Sequence, residues 1–266
     1  MKKIFITVAA ALLSSVSFGQ SNYLSFQGGY HLGYPADNLT SSSISYAGTK
    51  VSADGSTEAI FGTLGKGVPL SLAFGHMFNE NIGVELGASY LFGSNVLLGE
   101  DLSGGNVSRA EASTSQFRLS PQLVGKYKGF YSKIGFIIPV FGKTTLTTTD
   151  PSLLGTIETE SAIEGHLSLG FTGAIGYEYQ LNDKLSLFGE FQVISLNIKA
   201  KSSEFTKFDV DGVDQLDNLG QGALSGYSKE TNYVKTIDAN SAANDVLTFK
   251  RSYSSMGLNI GITYTL

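Results

Sequence analysis

A long two-residue alternation of apolar with small or polar side chains constrains this sequence more than any other feature. It is clearest over residues 166–193, where two alternating runs meet at a tight polar turn. Phe171 and Ile175 fall on one parity, whereas Thr172 and Glu178 fall on the other. Since successive side chains of a strand point to opposite faces, this stretch predicts a β-hairpin with one apolar and one polar face.

The length of the runs and the composition of their polar face indicate which all-β architecture contains the hairpin. A soluble sandwich also shows such alternation, but these runs are long, and their polar face is rich in Gly, Ser and carboxylates. A barrel with lipid outside and a polar lumen inside fits this combination. The chain is 42% hydrophobic and only 15% charged. The pattern therefore predicts a transmembrane β-barrel.

The same alternation occurs in eight segments, and the connections between these segments alternate between short and long. The predicted strands cover residues 22–34, 67–78, 82–93, 113–127, 130–142, 166–180, 185–200 and 248–266. The predicted long loops cover residues 35–66, 94–112, 143–161 and 201–247. The expected fold is an all-β, eight-stranded antiparallel transmembrane β-barrel with long extracellular loops and short periplasmic turns. Alternating pieces at residues 204–210 and 233–237 leave open taller hairpins or a ten-stranded barrel.

The three short turns predict a pairing register that can be tested. A slip by one residue would exchange the two faces of a strand, so apolar residues must meet apolar residues. The predicted pairs include Phe74 with Leu86, Leu123 with Ile134, Leu119 with Ile138, Phe117 with Val140, and Ile175 with Phe191. Pro121 and Pro139 each remove a ladder donor, and we interpret them as candidate bulges.

The N-terminal residues 1–19 have the pattern of a secretory signal peptide. Two lysines precede an apolar stretch over residues 4–16, and Ser17 and Gly19 resemble the small residues before a cleavage site. A membrane anchor is the alternative, but the stretch is shorter than the roughly 20 residues that span a bilayer. We expect residues 20–266 to form the barrel domain.

Strand parity also predicts which charged side chains enter the lumen. An eight-stranded barrel is just wide enough for its interior side chains, so opposite charges there are expected to pair as a plug. Arg118 and Lys133 are expected near carboxylates, because isolated buried charges are costly. A narrow gated path for solutes is the alternative. The predicted lumen charge network consists of Glu85, Arg118, Lys133, Glu178 and Glu190.

Aromatic residues near the strand ends suggest girdles at two membrane interfaces, although core packing in a sandwich is the alternative. One predicted group, toward the short turns, is Phe78, Tyr127, Phe130, Tyr179 and Tyr264. The other, toward the long loops, is Tyr34, Tyr90, Phe92 and Phe117.

Composition and spacing argue against several chemical functions. The chain has no cysteine, which excludes disulfides and thiolate chemistry, and its net charge of −5 without a basic cluster disfavours nucleic-acid binding. Glu164, His166 and Ser168 form a stripe on one strand, but consecutive members lie about 6.6 Å apart, marginal for a catalytic triad. An acidic stretch over residues 209–217 is a weak match to a calcium loop. We therefore predict no enzyme, no metal and no cofactor.

The final strand, MGLNIGITYTL, completes a resemblance to the outer membrane protein β-barrel domain family, common in Bacteroidetes. The resemblance covers the whole mature chain as a pattern of alternation. It implies a bacterial outer-membrane location among lipid and lipopolysaccharide, with both termini periplasmic. Tyr264 and the alternation imply recognition by the barrel-assembly machinery, whereas Leu266 departs from the Phe or Trp that ends many such barrels.

The function expected first is a structural or surface-interaction role, with the long loops contacting a possible extracellular ligand. A narrow pore or transporter for small solutes or apolar compounds is the second expectation. An outer-membrane lipid-modifying enzyme is the third.

Overall fold

The computed structural model describes residues 21–40, 44–152, 155–238 and 241–266. The predicted signal peptide, residues 1–19, lies outside the described residues.

Eight antiparallel strands form a closed barrel, because each strand pairs with the next and the last pairs with the first. The predicted eight-stranded antiparallel fold is thereby confirmed, and the ten-stranded alternative is wrong. The barrel strands are β1 (Asn22–Gly33), β2 (Gly67–Met77), β3 (Ile82–Gly93), β4 (Ser108–Tyr127), β5 (Phe130–Ser152), β6 (Gly170–Gln180), β7 (Leu185–Ser195) and β8 (Ser255–Thr265).

The short turns give the predicted register. The structure pairs Phe74 with Leu86, Leu123 with Ile134, Leu119 with Ile138, and Ile175 with Phe191. In the β4–β5 turn, Lys128 and Gly129 have φ values of 49° and 84°. Both central residues of a type I′ hairpin turn need positive φ, which glycine adopts without strain.

Pro139 marks the one place where the predicted β4–β5 register fails. The pairing shifts between Pro139 and Phe141, so Phe117 lies opposite Phe141 and not Val140. A bulge inserts one unpaired residue, and Pro139 has no N–H to lose from the ladder. The bulge also brings Phe141 to the outer face, where it stacks on Phe117 with ring centroids 4.8 Å apart.

The two ends of the barrel differ. The end that carries the short turns after β2, β4 and β6 is called the turn end, and the opposite end is the loop end. At the loop end, β4 and β5 run on for 20 and 23 residues in all, against 11 or 12 for the other barrel strands.

The predicted third long loop is mostly strand. Residues 143–152 belong to β5, and Gly155–Gly165 pairs with them. The fourth predicted loop likewise begins as the strand Asn197–Val210, which pairs with Gly155–Gly165. These segments carry Thr, Ser and Glu on both faces, and their few apolar residues are widely spaced. Their polarity is therefore similar to that of a loop.

Further short strands complete the loop end. They are Asp37–Asn38, Thr49–Val51, Thr57–Ala59, Phe61–Gly62, Val96–Asp101, Val213–Asp214, Glu230–Val234, Asp245–Leu247 and Lys250–Ser252, with 3₁₀ turns at Leu216–Asn218 and Gly222–Leu224. We call the strands Val96–Asp101, Gly155–Gly165 and Asn197–Val210, together with the paired parts of β4 and β5, the sheet extension. No helix within the described ranges is long and apolar enough to cross a membrane.

The distribution of apolar side chains matches that expected for a barrel with an apolar outer surface. Large hydrophobic residues on the outer face are exposed, such as Ile134, Ile175 and Ile260 at 68%, 64% and 73%. The buried apolar clusters lie toward the loop end, one around Leu98 and Ile198 and a smaller one around residues 157, 208 and 224. The interior nearer the turn end is instead polar.

Candidate functional site: a plugged lumen and an apolar pocket

An ion cluster centred on Lys133 fills the lumen toward the turn end. Lys133 Nζ lies 2.9 Å from Glu85 Oε1 and 3.2 Å from Glu190 Oε2, and all three side chains are less than a tenth exposed. The Tyr23 hydroxyl donates to Glu85 at 2.8 Å, and the Tyr131 hydroxyl donates to Glu190 at 3.2 Å. We call these five residues the plug. It joins β1, β3, β5 and β7 across the interior.

A second ion pair lies beside the plug. Lys126 Nζ is 2.7 Å from Glu178 Oε2, with side chains 26% and 17% exposed, and it also lies 4.8 Å from the centre of the Tyr23 ring. This pair is better solvated than the Lys133 cluster. It therefore loses less solvation energy on folding, and it contributes less to the stability of the folded barrel.

Arg118 does not join the plug. Arg118 lies opposite Ser89 on β3. Glu85 lies four positions from Ser89 on the same strand, opposite Gln122. Four residues of a strand span about 13 Å. Arg118 Nε donates to Gln116 Oε1 at 3.0 Å, while Nη2 has no partner in the described chain. The expectation that Arg118 pairs with a lumen carboxylate is wrong, because its side chain occupies a different layer.

Little empty space remains in the lower and middle lumen. A cavity of about 10 Å³ lies beside the plug, and another of about 30 Å³ lies beside Arg118. One ordered water needs roughly 10–15 Å³. The two cavities therefore have room for one and about two waters.

An apolar pocket of about 60 Å³ lies at the loop end of the interior. At its boundary with the polar lumen, the Thr144 hydroxyl bonds to Thr114 at 2.9 Å and to Tyr253 at 2.8 Å. Arg251 also lines it, 5.1 Å from the centre of the Phe249 ring, and burial lowers the pKa of Arg251. The apolar lining includes Ile44, Leu64, Leu98, Leu146, Ile163 and Ile198.

The barrel wall is interrupted beside this pocket. β5 pairs with β6 up to the pair Ile137–Gly170. From the pair Thr144–Ile163 onward, β5 pairs with the strand Gly155–Gly165 of the sheet extension. Between these points, residues 138–143 and 164–169 are all described, yet no ladder pair joins them. The register is the same on both sides, so the interruption is a local opening and not a slip. We call it the wall gap.

The wall gap lies between the apolar pocket and the outer face. A cavity of about 80 Å³ in the gap shares Thr144, Ile163 and Tyr253 with the lining of the apolar pocket. Its outer rim is apolar, since Phe141 and Leu167 are 61% and 77% exposed. The arrangement places an apolar interior space, an opening and an apolar outer surface in sequence.

The aromatic residues predicted as girdles lie at the two ends of the outer face. Tyr90 and Phe117 are half-buried, and they pack against Phe92 and Phe141 respectively. The others are exposed: Phe78, Tyr127, Phe130, Tyr179 and Tyr264 toward the turn end, and Tyr34 and Phe92 toward the loop end.

The Glu164, His166 and Ser168 stripe does not form a catalytic arrangement. The Ser168 hydroxyl donates to the backbone carbonyl of His166 at 3.0 Å, and Glu164 lies 3.6 Å from Lys201. His166 is exposed at the wall gap, whereas the parity of a regular strand would direct the stripe into the lumen. The strand is not regular over residues 166–169, and parity does not hold where the strand is interrupted.

The acidic stretch over residues 209–217 is used in local structure. Asp211 accepts a hydrogen bond from the Thr156 amide, and Asp214 accepts one from the Leu216 amide. Asp209 lies 3.1 Å from Lys207. Among the residues that the structure describes, no group of three or more His, Cys, Asp or Glu side chains is placed to hold a metal ion.

Several interior residues were not identified from the sequence. Tyr23 and Tyr131 lie on inward parities, so strand periodicity could have found them. His31, fully buried, lies 3.3 Å from Ser255 Oγ and 3.2 Å from Asn259 Oδ1. In the sequence, the local indication of the wall gap is Pro139, which was interpreted as a candidate bulge.

Comparison with known proteins gives a likeness in fold. No protein-family model matches the chain, and no curated protein matches it. Among solved structures it is similar to the outer membrane protein AlkL, determined by solid-state NMR in DMPC lipid bilayers. That match has 12% identity and a TM-score of 0.33, and it covers 95% of this chain and 93% of the other.

Proposed function

We propose that this protein spans the bacterial outer membrane, with its turn end and both termini in the periplasm. The exposed apolar outer face and the two groups of aromatic residues support this placement. A strand of 23 residues is about 75 Å long, whereas the apolar band of such barrels is about 25 Å tall. The sheet extension accordingly stands in the external medium.

We further propose that the barrel takes small apolar compounds from outside and releases them sideways into the membrane. The observation that carries this proposal is the wall gap beside the apolar pocket. A compound entering at the loop end would leave the apolar pocket past Ile163 and Ile198, and would reach the apolar rim at Phe141 and Leu167. Between these points it would cross a gap whose lining includes Gln116, Lys143 and His166. Passage through the whole lumen is disfavoured, because below Tyr253 an apolar compound would meet the charged plug.

Bridging the wall gap tests the proposal. The register places Val140 opposite Leu167, and because the chain has no cysteine, the double variant V140C/L167C presents two unique thiols. We expect a short bis-maleimide to reduce uptake of N-phenyl-1-naphthylamine by outer-membrane vesicles to the rate of vesicles without the protein. Fluorescence measures its entry into lipid.

The matched control is I175C/F191C, which places the same bridge across an intact ladder pair on the outer face. This bridge should leave uptake unchanged. Equal uptake before and after bridging of V140C/L167C would show that compounds do not use the gap. Loss of uptake in both variants would attribute the effect to the reagent.

A closed lumen also makes a prediction about ions. We expect purified protein in planar bilayers to give no discrete single-channel steps, because the cavities at the plug and at Arg118 hold only one to about two waters. Regular steps in the wild-type protein, with the protein-free bilayer as control, would contradict a plugged lumen.

The surface-interaction role is the second candidate function. The sheet extension is buttressed by its own apolar cluster, in which Phe208 is fully buried with Ile157 and Leu224. A cluster of this kind gives the extension an ordered surface that an extracellular ligand could contact. The absence of enzymatic activity stays a prediction, and barrel-assembly machinery and lipopolysaccharide stay proposed partners.

A further inference from the structure

A small cavity lies in the middle of the lumen, between the plug and the apolar pocket. Its volume is about 30 Å³. Arg118 lines it, is 2% exposed, and has an Nη2 atom with no hydrogen-bond partner in the part of the chain that the structure describes. The cavity is therefore bordered by a buried cation with an unused donor.

No described carboxylate contacts Arg118 directly, although the plug, with two carboxylates and one ammonium group, carries one surplus negative charge in the neighbouring layer of the lumen. Glu85 lines the far side of the cavity, but its two oxygens are taken by Lys133 and Tyr23. His31 also lines the cavity, with its two ring nitrogens hydrogen-bonded to Ser255 and Asn259. No described carboxylate lies within ion-pair distance of Arg118, as set out above.

The remaining polar lining supplies hydrogen-bond donors. The hydroxyl groups can rotate to donate to an occupant. Among the described residues, the side-chain oxygens of Gln27 and Gln122 have no partner, and a half-turn of each amide presents its N–H group in the same place. The polar side chains concerned are Ser25, Ser71, Ser89, Ser120, Gln27, Gln122 and Gln192.

We propose that this cavity binds a small monovalent anion of the halide class, with Arg118 as its principal ligand. A buried guanidinium without a counter-charge in direct contact is destabilising, and an anion bound to it lowers that penalty. Water fits the volume as well and satisfies the donor, but it places no counter-charge beside the guanidinium. The volume, about that of two waters, suits a monatomic anion such as chloride or bromide better than a larger organic anion.

Bromide is the probe, because its anomalous X-ray scattering identifies it in a crystal. We expect one anomalous peak beside Arg118 in wild-type crystals grown with bromide. We also expect the midpoint of thermal unfolding in uncharged detergent to be a few degrees higher in sodium bromide than in sodium gluconate of equal ionic strength. Gluconate is a much bulkier monovalent anion and serves as the comparison salt.

Two methionine variants separate this site from general salt effects. R118M should lose the difference between bromide and gluconate, whereas K126M should keep it, because Lys126 already pairs with Glu178. The wild-type diffraction experiment does not depend on whether R118M folds. No bromide peak beside Arg118, together with equal midpoints in the two salts, would overturn the proposal and assign the cavity to water.

Discussion

Replacing Lys133 with methionine is expected to destabilise the folded barrel by about 3–5 kcal/mol, the range for removing one partner from a buried ion pair. Methionine keeps most of the side-chain volume, so the main change is electrostatic. Glu85 and Glu190 lose their shared ammonium group and remain buried as two neighbouring carboxylates. Urea unfolding in lipid vesicles, followed by heat-modifiable gel migration, measures the free energy.

K126M is the matched control for this experiment. It removes a lysine from the same end of the lumen, but its pair with Glu178 is more exposed, so we expect a loss of about 0–1 kcal/mol. Adding E85Q and E190Q to K133M should recover part of the stability, because the uncompensated charges are gone. Equal losses for K133M and K126M would show that the plug is not the principal ionic element.

An arginine at Ile260 is expected to destabilise the barrel by about 2–4 kcal/mol, as lysine and arginine do at the middle of a lipid-facing surface. Ile260 is 73% exposed on the outer face of β8, opposite Gly28 on β1 and Gly189 on β7. If water surrounded this face, the same substitution would change stability by only about ±0.5 kcal/mol. Unfolding of I260R in lipid vesicles therefore tests the membrane placement.

Depth provides the control for I260R. Ile82 begins β3 at the turn end and is 55% exposed on the same outer face, so I82R should cost about 0–1 kcal/mol near an interface. A small effect at both positions would contradict the proposed orientation of the outer face toward lipid. A large effect at Ile82 and a small one at Ile260 would shift the membrane level toward the turn end.

Local sequence was sufficient for the pairing of strands joined by short turns. A two-residue side-chain period and a turn of defined length together fix both the face and the register, as Phe74 with Leu86 and Ile175 with Phe191 illustrate. The same parity placed Glu85, Lys133 and Glu190 on one interior surface. It could not supply their mutual distances, because those depend on how strands distant in sequence tilt around the barrel.

Prediction failed where periodicity lacks information. The strands of the sheet extension have polar residues on both faces, so nothing distinguished residues 143–152 from a loop until their pairing partners were known. At Pro139 a bulge shifts the register, so Phe117 lies opposite Phe141 and not opposite Val140 as predicted. Parity predicted the correct face for Arg118 but not its partner. Arg118 lies opposite Ser89, which is four residues from Glu85 along β3.

The sequence by itself determined the barrel's strand pattern, its apolar outside and the charged composition of its lumen, because these follow from alternation along single strands. Only the tertiary structure decided that Lys133 lies between two carboxylates, that Arg118 stands alone beside a small cavity, and that the wall opens next to the apolar pocket. These features depend on residues far apart in the chain, whose relative positions are set by closure of the barrel.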